Sequence, residues 1–122
     1  MSGLMDYTMD VNEINKLLAA YAGAKVNIWK YQLTHRKVIL DVYFPGKINE
    51  MHLCVLLASC EHINSNTSWE NADLILTQKE IVPNDKVQNL IDRSNGFEFI
   101  SRGGVLAFEN EPGKMNEIFK NF

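Results

Sequence analysis

Residues 51–60 constrain the fold most, because nearly every side chain in this run is apolar. In an extended chain, alternate side chains point to opposite faces, so both faces of this segment are apolar. Such a strand lies in the middle of a sheet and is covered on both sides. A buried helix is the competing interpretation, although the short length and the flanking turn residues favour a strand. We therefore predict a central strand here.

Two alternating segments precede this strand. Residues 26–33 and 38–44 each alternate with period two, and the polar residues 34–37 separate them. Alternation on both sides of a short polar turn is typical of a hairpin. Pro45 and Gly46 then end the second segment. Residues 26–60 thus predict three consecutive antiparallel strands.

One helix is predicted before these strands and another at the end of the chain. Asp10 and Glu13 form a variant of the capping box, and residues 11–22 carry one apolar stripe at helical spacing. Pro112 suits the first turn of a second helix, which has its apolar stripe over residues 115–122. We expect both stripes to cover one face of the sheet.

The remaining segments predict further strands. Residues 72–82 indicate a strand, and residues 97–101 and 105–109 indicate a hairpin around Arg102-Gly103-Gly104. Residues 86–93 fit a short helix or a strand, and we favour the helix because Asp85 could cap it.

Length and composition favour one packed domain. The chain has 122 residues, of which 46% are hydrophobic and 22% charged. We predict one α+β domain over residues 1–122, in which residues 1–9 form a loosely ordered lead-in. Its antiparallel sheet of about five to six strands comprises a meander and a C-terminal hairpin, and the N-terminal and C-terminal helices pack on it.

Charge and cysteine usage exclude several classes of protein. The chain has a net charge of −3 and so lacks the positive potential that binds a phosphate backbone. We therefore predict no nucleic-acid partner. Residues 51–60 form the longest uncharged run, which is too short to span a membrane. Two cysteines without an N-terminal export signal predict reduced thiols and a cytoplasmic location.

Histidine and cysteine alternate around the central strand. His52, Cys54, Cys60 and His62 would all point to one face of a continuous strand. The two His/Cys pairs would then be separated by roughly 26 Å at the usual rise per residue, which is too far for one zinc ion. Burial in an apolar strand also suppresses thiol reactivity. We predict no catalytic residue, no metal and no cofactor, and we favour a protein without enzymatic activity over an enzyme.

A polar segment, residues 61–71, contains Trp69 as its only aromatic residue. Such a tryptophan either packs back onto the domain, which is the commoner outcome, or serves as an anchor for a partner. Together with Cys60 and His62 it could also line a small pocket. These three residues are our first candidates for ligand or partner binding.

Three further aromatic residues lie on the predicted strands. Trp29, Tyr31 and Tyr43 would form a natural binding surface if they lie on an uncovered face of the sheet. A second protein or another copy of this chain could dock there.

Three functions fit these observations. The leading prediction is a small non-catalytic binding protein, of the inhibitor or immunity kind or an accessory subunit, that acts through a sheet face or residues 61–71. The first alternative is a small-ligand binder or enzyme with a pocket near Cys60, His62 and Trp69. The second alternative is a homodimeric structural subunit.

Overall fold

A computed structural model describes residues 7–47, 50–83 and 85–119. Within these residues the chain is mainly β, with two antiparallel sheets and two short helices in one small domain. The elements are β1 (Tyr7–Thr8), α1 (Val11–Ala20), β2 (Lys25–Gln32), β3 (Lys37–Tyr43), β4 (His52–Leu57), β5 (Cys60–Asn64), β6 (Ser68–Trp69), β7 (Leu74–Val82), β8 (Asp85–Asp92), β9 (Phe97–Ser101), β10 (Val105–Asn110) and α2 (Met115–Ile118).

The first sheet has six strands in the order β1-β10-β4-β3-β2-β6, and the second has four in the order β5-β9-β8-β7. The predicted meander of β2, β3 and β4 is confirmed, and β4 lies in the interior of its sheet. The prediction of a single sheet is wrong, because the described strands divide between two sheets. The fold is mainly β rather than α+β.

The chain changes sheet within the run that we predicted as one strand. β4 ends at Leu57, and Ser59 takes a positive φ of 49° before β5 begins at Cys60 in the second sheet. A residue in this left-handed region breaks the extended conformation. Residues 51–60 are therefore not one strand, and His52 and His62 lie in different sheets.

The chain crosses between the two sheets a second time at residues 102–104, next to the first crossing. The amide of Ala58 donates to the carbonyl of Gly104 at 2.9 Å, and the amide of Gly103 donates to the carbonyl of Ala58 at 3.0 Å. A Cβ at Gly103 would lie 2.9 Å from the backbone carbon of Ala58, so the two crossings need glycine to approach this closely. β9 and β10 therefore belong to different sheets, and the predicted hairpin between them is wrong.

Two other predictions are corrected in the second half of the chain. Residues 86–93 are not a helix, because β8 pairs antiparallel with β7, with Leu90 opposite Leu76. Residues 61–71 are not one loop, because they contain most of β5 and all of β6. In both segments the pairing with a neighbouring strand determines the conformation, which local spacing does not reveal.

One apolar cluster joins both sheets and α1. Its fully buried side chains include Val26, Leu40 and Val55 from the first sheet, Leu90 from the second, and Ile14 from α1. The sheets therefore form a sandwich around this core. A smaller cluster lies on the outer side of the first sheet, where Ile39, Cys54, Phe108 and Met115 pack together.

The two helices do not share one face of a sheet. α1 begins after Asp10, whose carboxylate accepts from the amide of Glu13, and Gly23 follows it with a φ of 85°. Ile14 and Leu18 of α1 join the core, whereas Met115 of α2 joins the outer cluster. The expectation that both helices cover one face is thus not confirmed. The predicted end of the last helix, residues 120–122, lies outside the described residues.

Asn15 fixes α1 against the edge of the second sheet. Its Nδ2 donates to the carbonyl of Leu76 at 2.9 Å, and its Oδ1 accepts from the amide of Leu76 at 2.7 Å. β7 is an edge strand, and such edges invite pairing with other chains. The Asn15 amide occupies one donor and one acceptor of that edge.

Part of the predicted lead-in is ordered. Tyr7 and Thr8 form β1, which pairs with Phe108 and Ala107 of β10. Residues 1–6 lie outside the described ranges. No helix found in the described ranges is both long enough and apolar enough to cross a membrane.

Candidate functional site

Trp69 packs back onto the domain. It is 6% exposed, and its ring meets the edge of Phe97 at 5.0 Å and stacks on Phe99 at 6.2 Å between centroids. Its indole nitrogen donates to Oδ2 of Asp92 at 2.8 Å. The side chain that the sequence suggested as an anchor is a core residue in this fold.

Cys60 and His62 point to different sides of the second sheet. Cys60 is 3% exposed and belongs to the core with Trp69. His62 is exposed and lies opposite Ile100, the neighbour of the buried Phe99, so it faces away from the core. The structure therefore brings Cys60 and Trp69 into one core and places His62 on the opposite face.

Neither thiol has the environment of a nucleophile. Burial raises the pKa of the Cys60 thiol and raises that of Cys54 still further, and Cys54 is fully buried. A thiol with a raised pKa carries little thiolate near neutral pH.

The three strand aromatics do not form one exposed surface. The Trp29 ring packs 5.8 Å from that of Phe119, and Tyr43 stacks on His52 with 4.7 Å between ring centroids. Tyr31 alone among the three is an exposed residue, at 44%. Only Tyr31 is therefore widely open to solvent, and a binding role for these residues stays a prediction.

The first sheet carries a polar cluster on its outer side, formed by Asn27, Asp41, Tyr43, His52 and Ser68. Nδ1 of His52 lies 2.9 Å from Oδ1 of Asp41, and Asn27 donates to the Tyr43 hydroxyl at 3.1 Å. Ser68 donates to Asn27 at 2.7 Å. Our sequence analysis did not single out Asp41, although one carboxylate in the middle of an apolar strand is an available signal.

The Asp41–His52 pair resembles the base and orienting carboxylate of many enzymes in geometry alone. Burial raises the pKa of Asp41, and the hydrogen bond from His52 opposes that change. Cys54 lies directly opposite Asp41 in the β3–β4 pairing, but burial raises the pKa of its thiol and keeps it protonated. Across residues 7–47, 50–83 and 85–119 there is no group of three or more His, Cys, Asp or Glu side chains that could bind a metal. The geometry supports a structural role that links neighbouring strands.

The outward side of the second sheet is the larger candidate. Leu76, Leu90 and Phe99 are buried in the core, so Thr77, Asn89 and Ile100 point to the other side. We call this side the open face. It forms a shallow depression of about 620 Å³ lined by Glu61, Thr77, Lys79, Glu80, Val87, Asn89, Ile100 and Arg102. In the described ranges neither helix lines it.

The open face combines aliphatic and charged side chains. Val87 and Ile100 supply the aliphatic part of the lining, although Val87 is only 8% exposed. Arg102 bridges two carboxylates, with its Nε 2.6 Å from Oε2 of Glu61 and its Nη1 3.3 Å from Oδ2 of Asp85. A mixture of apolar and polar side chains is the usual composition of a non-obligate protein–protein interface.

No protein family, curated protein or solved structure matches this chain. The chain's own residues, above all those of the open face, are therefore the basis for inferring a function.

Proposed function

We propose that this protein is a non-catalytic binding protein that docks a second, different protein on the open face. The observation that carries the proposal is the composition of that face. Val87 and Ile100 supply its aliphatic side chains, and Glu61, Lys79 and Arg102 supply charges beside them. Such a surface combines desolvation of the aliphatic groups with hydrogen bonding by the charged ones.

The polarity of the face favours a separable partner over a second copy of the chain. Obligate homodimer interfaces are more apolar and resemble a domain core cut in half. Here Thr77 and Asn89 line the same depression as the aliphatic residues, and Asn89 donates to Glu98 at 3.2 Å. Polar groups that are already hydrogen-bonded tolerate water in the free protein, which suits an inhibitor or accessory subunit that binds and dissociates.

The buried thiols support a role without covalent catalysis. Cys54 and Cys60 both have pKa values raised by burial. Binding by surface complementarity needs neither of them.

A charge placed on the open face tests the proposal. Thr77 is exposed and lines the depression, so Thr77→Arg adds a long cation there without removing a core contact. Ala20→Arg is the matched control, because Ala20 is exposed at the end of α1, where a cation suits the helix dipole. Each variant is immobilised and exposed to extract from the host organism, and circular dichroism confirms that both are folded.

We expect one protein to be retained by the wild type and by Ala20→Arg, and its retention by Thr77→Arg to fall at least about tenfold. Equal retention by all three proteins would contradict the proposal. Sedimentation of the purified wild type is expected to show a monomer. A dimer that Thr77→Arg disperses would instead show that the face binds a second copy.

A further inference from the structure

A second concave site lies at one end of the sandwich, where β8 and the crossing at residues 102–104 come together. It has a volume of about 300 Å³ and is lined by Met9, Gln78, Asp85, Lys86, Gln88, Arg102, Gly103, Gly104 and Val105. We call it the end pocket. Its volume is at the lower end of the range for small-ligand sites.

Gln88 provides a buried acceptor without a donor. The residue is 8% exposed, and its Nε2 donates to Oε1 of Gln78 at 3.0 Å. Its own Oε1 is buried and accepts no hydrogen bond from the described residues. Most buried polar atoms in proteins have a partner, so an unpaired amide oxygen in a residue that lines a cavity points to a donor from outside these residues.

Lys86 supplies a positive charge close to this acceptor. Lys86 and Gln88 are two residues apart on β8, so their side chains leave the strand on the same face, about 6.6 Å apart at the base. Lys86 is exposed, and no described group makes an ion pair with it, although Glu80 lies opposite in the β7–β8 pairing. The cation of Arg102, in contrast, is engaged by Glu61 and Asp85.

Glycine keeps the mouth of the pocket open. Gly104 has a φ of 98°, and a Cβ there would lie 3.4 Å from Cε of Met9. Because Gly104 has no side chain, the wall of the pocket at this position is backbone alone.

We propose that the end pocket binds a small carboxylate that carries a neighbouring hydroxyl or N–H group. A rotation of the Gln88 side-chain amide exposes Oε1 to the pocket, where the hydroxyl or N–H donates to it, and the carboxylate lies against the ammonium group of Lys86. The end pocket shares Arg102 with the open face, but the proposed contacts at Gln88 and Lys86 lie outside that face and do not depend on the docking function.

Three probes that differ by one group each test this chemistry. Lactate has both the hydroxyl and the carboxylate, propionate lacks the hydroxyl, and lactamide lacks the negative charge. In NMR titrations of the labelled protein we expect lactate to produce saturable shifts of the Gln88 side-chain amide and of the Gly103 and Gly104 backbone amides. Propionate and lactamide are each expected to bind about tenfold more weakly, because each loses one polar interaction.

Two variants assign the interactions to residues. Gln88→Leu removes the unpaired acceptor and is expected to weaken lactate binding about tenfold while leaving propionate binding unchanged. Lys86→Gln is at an exposed position and should preserve the fold. Lys86→Gln is expected to weaken lactate binding but not lactamide binding. Lys16→Gln, on the exposed side of α1, removes the same charge elsewhere and serves as the control.

Equal affinities for the three probes would contradict the proposal, and so would unchanged lactate binding by Lys86→Gln. The absence of saturable shifts at Gln88 with lactate would show that the pocket holds water only. Thr77→Arg is expected to respond to lactate as the wild type does, so a failure at the open face and a failure at the end pocket are distinguishable.

Discussion

The indole nitrogen of Trp69 donates to Oδ2 of Asp92 across 2.8 Å, and Asp92 is 1% exposed. The other oxygen, Oδ1, accepts from the backbone amides of Ser94 and Asn95 at 3.1 and 3.0 Å. One buried carboxylate thus connects the short edge strand β6 of the first sheet to the β8–β9 turn of the second. Hydrogen bonds of this kind are what allow a carboxylate to be buried.

We expect Trp69→Phe to destabilise the protein by about 1–3 kcal/mol, because the buried Oδ2 of Asp92 loses its indole donor. Urea unfolding followed by circular dichroism measures the change. Trp29→Phe is the matched control, since Trp29 is only half-buried, and we expect a smaller loss. If Trp69→Phe kept full stability and lost only partner binding, Trp69 would be an anchor instead.

Removing the side chain of Asn15 is expected to loosen the edge of the second sheet. Asn15→Ala deletes both hydrogen bonds to the backbone of Leu76, each worth about 1 kcal/mol. We expect the free energy of unfolding to fall by about 1–2 kcal/mol and the amide of Leu76 to exchange faster with deuterium.

Asn12→Ala on the same helix is the control, because Asn12 is exposed. Unchanged exchange at Leu76 in Asn15→Ala would show that the side-chain amide does not protect this edge.

Asp41 is expected to titrate above its ordinary pKa of 3.8, because burial disfavours the carboxylate. A carboxyl group whose pKa is higher in the folded state than in the unfolded state lowers the free energy of unfolding while it is ionised. That penalty disappears as the pH falls through the folded-state pKa. Carbon-13 shifts of the carboxyl group measure the pKa directly. A value at or below 3.8 would be inconsistent with this account.

His52→Phe is expected to raise the pKa of Asp41 further. The ring of Phe keeps an aromatic surface against Tyr43 but donates no hydrogen bond to the carboxylate. Since the hydrogen bond from His52 lowers this pKa, losing it moves the pKa upward. An unchanged value would mean that the imidazole does not stabilise the ionised form.

Both cysteines are expected to be inert in the folded protein. Cys54 is fully buried and Cys60 is 3% exposed, and burial raises both pKa values. We expect no rapid reaction with a disulfide reagent at pH 8 and two reactive thiols after unfolding in urea. Rapid labelling of one thiol in the native state would contradict this prediction and indicate a reactive cysteine.

The parts of the fold that depend on local pattern were predictable. Alternation located β2 and β3, and the apolar run located β4. The β8 segment was mispredicted because Val87, Leu90 and Ile91 fit a short helix as well as a strand. Its pairing with β7 across the sheet, which local spacing does not contain, decides between the two.

The two crossings between sheets were not predictable in this way. Ser59 takes a positive φ although it is not glycine, so no residue type marked the break after Leu57. Without that break, His52, Cys54, Cys60 and His62 are all assigned to one strand. The prediction then contains one sheet instead of two.

The candidate sites depend on register even more strongly. Asp41 and His52 lie on different strands and meet only because β3 and β4 pair. The sequence suggested a sheet face as the binding surface, but the aromatic residues it offered are mostly covered. The unpaired oxygen of Gln88 is a property of packing and had no signal in the sequence.

Photo-cross-linking from the open face shows whether a different protein docks there. Benzoylphenylalanine is placed at Thr77, or at Ala20 on α1 as the control, and the protein is irradiated inside host cells. We expect one defined adduct with a different protein from Thr77 and none from Ala20. No adduct from Thr77, or an adduct only with another copy of this chain, would contradict the proposed docking.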